Sequence, residues 1–229
     1  MVVGHFATAL AARQLAPTAP LAFYLAISQL PDLLWHLFHY LGLEVTTPEN
    51  PMAASLDNMQ AEMTYSHDLL PSLGWMVLVV LAGRVLFRDW RTGVTGGALV
   101  LLHGFCDAIS GHMHYVFGPD SAPIGLGLYG TSPYLALAIE GVFTLGVMGW
   151  VMRKDAGAGV RRSRATKWVW GAVFIGGLLS LAPTAELSMV EMFGLEPIAA
   201  LSGTLIPGLL LMYVSMFAAL VWADSQPTG

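Results

Sequence analysis

Residues 21–42 read LAFYLAISQLPDLLWHLFHYLG. A helix needs about 20 apolar residues to cross the roughly 30 Å hydrocarbon core of a bilayer, so this run is long enough. It nevertheless carries a carboxylate, Asp32, and an imidazole four residues on, His36. Two further apolar runs repeat the anomaly. GGALVLLHGFCDAISGHMHYVF (96–117) places His103 and Asp107 four apart, and SHDLLPSLGWMVLVVLAG (66–83) opens on His67 and Asp68. A charge at the centre of a bilayer costs at least about 2.5 kcal/mol, so such groups pair with one another, bind a ligand or line a polar cavity.

Composition agrees with a membrane solvent. Of 229 residues, 55% are hydrophobic and 11% charged, with a mean hydropathy of +0.64; soluble domains carry about 25% charged residues. The expected fold class is all-α, a polytopic transmembrane helical bundle and a single integral membrane domain. Six full spans are expected over 20–43, 66–87, 94–116, 132–152, 168–184 and 197–222, with a short N-terminal membrane helix over 2–16. Residues 1–116 would hold the polar groups and 131–222 would support them. The alternation of a membrane β-barrel is absent. The single cysteine, Cys106, excludes an internal disulfide. The N-terminus lacks the basic stretch that opens a secretory signal, and is expected to be retained. No phosphate-binding loop, nucleophile elbow or dinucleotide fingerprint is present, and bases are too few for nucleic-acid binding. The glycine-rich patch GVTGGA and the IGG of FIGGLL are expected to let helices approach closely.

The ten Lys and Arg residues fall in three places. Arg13 precedes the first full span; Arg84, Arg88 and Arg91 follow the second; Arg153, Lys154, Arg161, Arg162, Arg164 and Lys167 lie between the fourth and fifth. These share one side of the membrane if each span crosses once, and the positive-inside rule makes that side, with the C-terminus, cytoplasmic. The other loops carry Glu44, Glu49, Asp57, Glu62, Asp120, Glu186, Glu191 and Glu196 without a base. Counted from the cytoplasmic ends at 1.5 Å per residue, Asp107 lies about 21 Å up its helix, Asp32 about 18 Å, and His5 about 12 Å above Arg13. His36 and His103 fall within a turn of those levels and His67 enters from the outer side. The depths converge in the outer half of the bilayer, which favours one shared site over scattered contacts.

On a helix, i and i+4 share a face, so Asp32/His36 and His103/Asp107 can each aim two ligands at one point. Imidazole and carboxylate together suit zinc, with manganese or iron also compatible. A bound metal would also lower the pKa of a coordinated water to about 7. Other polar residues have plainer readings. A lone intramembrane His is more often a helix contact than a ligand. His36 and His39 also suit an interface beside Trp35 and Tyr40. His112 and His114 lie at the outer end of their helix, and His114 is three turns from His103 unless the helix breaks. Glu140, alone in the fourth span, reads equally as a ligand, a general base or a protonated helix contact.

The order of these residues along the chain carries a resemblance. Gly4–His5, the LPD of 30–32, the YSH of 65–67 and the HxxxD of 103–107 resemble a bacterial and archaeal family of small inner-membrane proteins described as membrane-bound metal-dependent hydrolases, one branch of which is linked to LexA regulation. The match covers residues 1–115; the later helices match only in hydrophobicity. The resemblance implies His5, Asp32, His67, His103 and Asp107 as metal ligands. Leu34 stands where that family commonly has a second acid, and Asp68 where it usually has serine. Asp68 is therefore a candidate for the lost carboxylate or a general base, and His36 for a second proton carrier, with Glu140 and His112 as additional site candidates. The expected function is metal-dependent hydrolysis of an ester or phosphoester of a lipid or lipid-linked substrate, in the bacterial or archaeal cytoplasmic membrane, through a site open to the outer side. The alternatives are an ion, proton or metal transporter or channel using the intramembrane His, Asp and Glu residues, and a scaffold in which they are interhelical glue.

Overall fold

The computed structural model describes residues 1–227. Among them the chain is predominantly helical. Its helices begin with α1 (Val3–Leu15), α2 (Leu21–Ser28) and α3 (Leu30–Tyr40), followed by α4 (Leu69–Phe87), α5 (Trp90–Ser110) and α6 (Pro133–Gly157). A helical run then comprises α7 (Arg164–Trp170), a π-helical turn (Gly171–Gly176) and α8 (Gly177–Leu181), before α9 (Met189–Phe193) and α10 (Leu205–Asp224). Two small antiparallel ribbons lie in the connections, β1 (Thr46–Thr47) with β2 (Gln60–Ala61) and β3 (His114–Tyr115) with β4 (Pro123–Ile124).

Four helices are long and apolar enough to cross a membrane, α4, α5, α6 and α10, and a fifth crossing is possible if α2 and α3 act as one bent span. The expectation of six uninterrupted spans needs correction in detail. Residues 20–43 form two helices bent by 56°. The run 94–116 stops being helical at Ser110, and the helix expected from 197 starts at Leu205. The run 168–184 is helical but passes through the π turn.

The short first helix occupies the middle of the bundle. Val3 through Leu10 of α1 are all buried, packed by α2, α5, α6 and the π turn. Small side chains at Gly4, Ala7, Thr8, Ala9 and Ala12 let these neighbours come close. At Gly177, a Cβ would lie 2.6 Å from Val3 Cγ1. The α4–α5 hairpin is equally tight: a Cβ on Gly93 would lie 2.4 Å from the Val80 carbonyl oxygen. Asp89 starts α5 by accepting hydrogen bonds from the Arg91 and Thr92 amides, each at 3.1 Å.

The basic segments meet at one end of the bundle. Gln14 Nε2 donates to Asp155 Oδ1 at 2.6 Å, and Phe23 meets Phe87 edge-on at 4.8 Å. The opposite end is capped by loops: the Leu56 and Asp57 amides donate to the Thr184 and Ala185 carbonyls, and the Leu205 amide to Glu49. The polar residues of the apolar runs sit beneath this cap.

Candidate metal centre

The break between α2 and α3 is what makes a buried carboxylate within this apolar run tolerable. Gln29 leaves helical geometry, and Asp32 falls in the first turn of α3. There, unpaired backbone N–H groups and the positive end of the helix dipole favour an anion. With its amide oriented to satisfy both neighbours, Gln29 donates to Asp32 Oδ2 at 3.2 Å and accepts from the Phe6 amide at 3.1 Å. The same break frees the Ser28 carbonyl, which faces His103 Nδ1 at 2.7 Å.

Four segments bring five side chains to one point. His5 comes from α1, Asp32 from α3, His67 from the turn before α4, and His103 and Asp107 from one face of α5. His103 Nε2 lies 3.1 Å from Asp107 Oδ2, 3.9 Å from Asp32 Oδ2 and 3.2 Å from His67 Nε2. His67 Nε2 is 3.4 Å from Asp32 Oδ1 and 3.8 Å from Asp107 Oδ2. His5 stacks on His103 with centroids 3.6 Å apart, and its Nε2 is 3.1 Å from Asp107 Oδ1. The Met1 amino group also rests against Asp107 Oδ1. All five side chains are buried. Two overlapping triads, His5/His103/Asp107 and Asp32/His67/His103, each keep their ligand atoms within 4.8 Å of one another.

Hydrogen bonding around the cluster assigns the protons. The Ser28 carbonyl can only accept, so His103 Nδ1 carries its hydrogen and a neutral ring presents an Nε2 lone pair. Ser66 Oγ lies 2.8 Å from His67 Nδ1, and 2.9 and 3.1 Å from the two Glu44 oxygens. The hydroxyl therefore donates to Glu44 and accepts from His67 Nδ1, and Nε2 of His67 also turns a lone pair inward. Glu44 is held further by the Tyr65 and Ser66 amides at 2.7 and 2.9 Å. Such outer partners orient metal-ligating imidazoles. The two inward lone pairs face each other and the two carboxylates with no hydrogen between the rings, an arrangement a divalent cation would satisfy, while the Met1 amino group and the Gln29 amide donate to Asp107 Oδ1 and Asp32 Oδ2. The mixed nitrogen and oxygen donor set suits first-row divalent ions. His5 differs, its Nδ1 being buried without a partner.

The remaining candidates fall elsewhere. Asp68 is not in the cluster: its Oδ1 accepts from the Tyr115 amide at 2.9 Å and its Oδ2 from the Gly118 amide at 2.6 Å. It anchors the β3–β4 ribbon, so both of its oxygens are engaged away from the five clustered side chains. His36 contacts the Asp32 carbonyl through Nδ1 at 2.5 Å and meets the Tyr213 ring edge-on. This supports the start of α3 and gives no direct route to the cluster. Glu140 caps α1: its Oε1 accepts from the Val3 and Gly4 amides at 2.7 and 3.0 Å, and Tyr129 donates to Oε2 at 3.1 Å. It satisfies orphan N–H groups of a helix end buried in the bundle. His114 stacks on His67 at 5.4 Å because α5 ends at Ser110 and the chain doubles back.

A cavity of about 180 Å³ adjoins the cluster, reached by Asp32, His67 and Asp107. Its other walls are mostly apolar, including Leu56 and Met59 from the loop cap, Leu181, and Leu209 and Met212 from α10. Polar groups on its wall include His112 and the phenols of Tyr129 and Tyr213. His112 Nε2 has no partner, and burial pushes this imidazole down to about 4, so it is neutral at physiological pH. Comparison with family models, curated proteins and solved structures gave no match. The case for function therefore rests on the residues themselves.

Sequence reasoning missed Glu44, Ser66 and Gln29. Ser66 lies inside the YSH motif, where a hydroxyl next to a candidate ligand was the available signal. Glu44 lies 23 positions before His67 in sequence, and only the folded loop joins them.

Proposed function

We propose that the cluster of His5, Asp32, His67, His103 and Asp107 holds a divalent metal, zinc first among the ions that fit, and that the chain is a metal-dependent hydrolase of the cytoplasmic membrane. The observation that carries this reading is the pair of imidazole Nε2 atoms 3.2 Å apart, both with Nδ1 engaged, facing two carboxylates. With both Nδ1 atoms carrying the ring hydrogen, neutral hydrogen bonding leaves no donor between the two Nε2 atoms, although the Met1 amino group and the Gln29 amide reach the carboxylates. When bound, such an ion polarises an ester or phosphoryl oxygen and acidifies water.

The protein's own residues would supply the rest. Ser28 and Ser66, the latter backed by Glu44, fix the two imidazoles. Gln29 and the α3 N-terminus hold the Asp32 carboxylate in place. His112 Nε2, on the cavity wall, is the group we assign to proton transfer, in place of Asp68 and His36. The apolar walls exclude bulk water and suit an ester or phosphoester carried on a lipid or lipid-linked substrate. The gathering of the basic segments at one end supports a cytoplasmic placement of that end, with the cavity toward the outer leaflet. In this topology Arg164–Leu181 serves as a sixth crossing and the bent α2–α3 pair as another.

Transport is the weaker reading. Beyond His5, the core that holds α1 is mainly apolar, with Phe6, Leu10, Val151 and Leu220 among its side chains, and its buried polar groups are isolated ones such as Thr8 and Thr144. The test is elemental analysis of the purified protein together with cleavage of ester and phosphoester lipid analogues. Roughly stoichiometric metal and metal-dependent cleavage are expected. Metal-free protein with intact fold and function would sink the proposal, and metal flux into proteoliposomes without cleavage would replace it with transport.

A further inference from the structure

The basic connection between α6 and α7 does more than set orientation. It forms one wall of a second cavity, about 820 Å³, between the end of α6 and the α7–π segment. Its basic end lies far from the metal cluster: from Glu140, which caps α1 beside the cluster, to Asp155 on the cavity wall is about 22 Å along α6, while its apolar end at Leu145 comes within about 8 Å of Glu140 along that helix. Three bases line it, Arg161, Arg162 and Lys167, against one acid, Asp155.

The acid is already consumed. Asp155 is buried and takes two hydrogen bonds from Arg162, at 2.8 and 3.2 Å, and one from Gln14 at 2.6 Å. Arg162 also reaches Asp224 at 3.2 Å and lies over the Trp170 ring. The side chains of Arg161 and Lys167, both exposed, make no hydrogen bond or ion pair among the described residues. The cavity thus offers two uncompensated cations at its rim.

Its other end is apolar. Leu145 and Met152 of α6 and Ile175 of the π turn line it and are themselves exposed on the bundle surface. Bases at one end and an apolar trough at the other match an amphiphile with an anionic head. We propose that this cavity binds one anionic phospholipid, its phosphate between Arg161 and Lys167 and an acyl chain along Leu145, Met152 and Ile175. Basic pockets between membrane helices bind anionic headgroups in this way. The inference rests on the membrane-spanning reading and is independent of the metal centre.

The test uses the full chain in detergent micelles titrated with phosphatidylglycerol or phosphatidylcholine, with bound lipid read by native mass spectrometry. Phosphatidylglycerol is expected to bind at least about 10-fold more tightly than phosphatidylcholine, and Arg161→Gln with Lys167→Gln to lose about 10-fold of that affinity. Arg164→Gln, on the same segment but outside the cavity, should leave binding unchanged. Equal binding of the two lipids by the unsubstituted protein would overturn the proposal, whatever the variants do. So would an Arg164→Gln loss as large as that of the double variant, which would mean a diffuse basic surface. Competition by millimolar glycerol phosphate would reassign the cavity to a soluble anion and also overturn it.

Discussion

The two ends of this bundle handle charge in opposite ways. At the cluster end, His5, Asp32, His67, His103, Asp107, Glu44 and Glu140 are all buried, and among their side-chain polar atoms only His5 Nδ1 lacks a partner, though His36, His112 and His114 beside them each leave one ring nitrogen unpartnered. At the basic end, Arg161 and Lys167 stand exposed without one. The difference follows from solvent. A charge at the water interface is stabilised by hydration and needs no specific geometry. A charge inside the bundle must be satisfied by the protein or by a bound ion, so its surroundings are specified atom by atom. The buried cluster is where chemistry is expected, while the exposed bases beside the buried Asp155–Arg162 pair are suited to an exchangeable lipid.

The strongest way to break this contrast is at the cluster itself. His103→Ala or Asp107→Ala should reduce bound metal from near stoichiometric to background by elemental analysis, while an alanine at exposed Arg164 should not change it. If metal content survives at both cluster positions, the buried end is interhelical glue. Next in size is Glu140. Glu140→Ala strips acceptors from two buried amides and a phenol, and should cost about 3 kcal/mol in chemical denaturation. Glu140→Gln keeps an acceptor and should retain metal; metal loss in a folded Glu140→Gln variant would make this residue a ligand after all.

A smaller effect is expected one layer out. Ser66→Ala and Glu44→Gln should each weaken metal affinity about 10- to 100-fold with the helical content unchanged, as outer partners of ligating histidines do. Unaltered affinity in both would remove the proton assignment for His67. The smallest effect concerns pH. His112 titrates near 6.5 when unfolded and about 4 when folded, so the unfolded chain takes up the proton first as pH falls. Its contribution to stability is complete above about 6.5 and is lost as pH drops toward 4. His112→Gln should flatten that part of the melting-temperature profile; an unchanged slope would show that His112 is already open to water.

Much of this arrangement was legible because apolar runs make polar residues conspicuous. His103 and Asp107 could be placed on one face from their spacing alone, and the helix rise put them at the depth of Asp32. Other features depended on where the helix period failed. The Gln29 break moved Asp32 into a helix N-terminus, and the end of α5 at Ser110 turned His114 back onto His67. The first break did have a signal in Pro31, which a helix accepts in its first turn but not in its interior, whereas the end of α5 is marked only by Gly111. Asp68 shows the converse. Its neighbour His67 is in the cluster, but adjacent side chains point different ways at a helix start, and its carboxylate reaches the ribbon.

The sequence by itself determined that this chain is helical with runs long and apolar enough to cross a membrane, that its bases fall in a few segments, and that a few His and Asp residues stand within the apolar runs. These follow from composition and period, which are local properties of the chain. Only the tertiary structure decided that α1 is the buried hub, that Glu140 caps it, and that Glu44 and Ser66 orient His67. Those are contacts between segments far apart in sequence, made because a buried helix end and a buried imidazole must each find a partner, and the nearest ones lie on other elements.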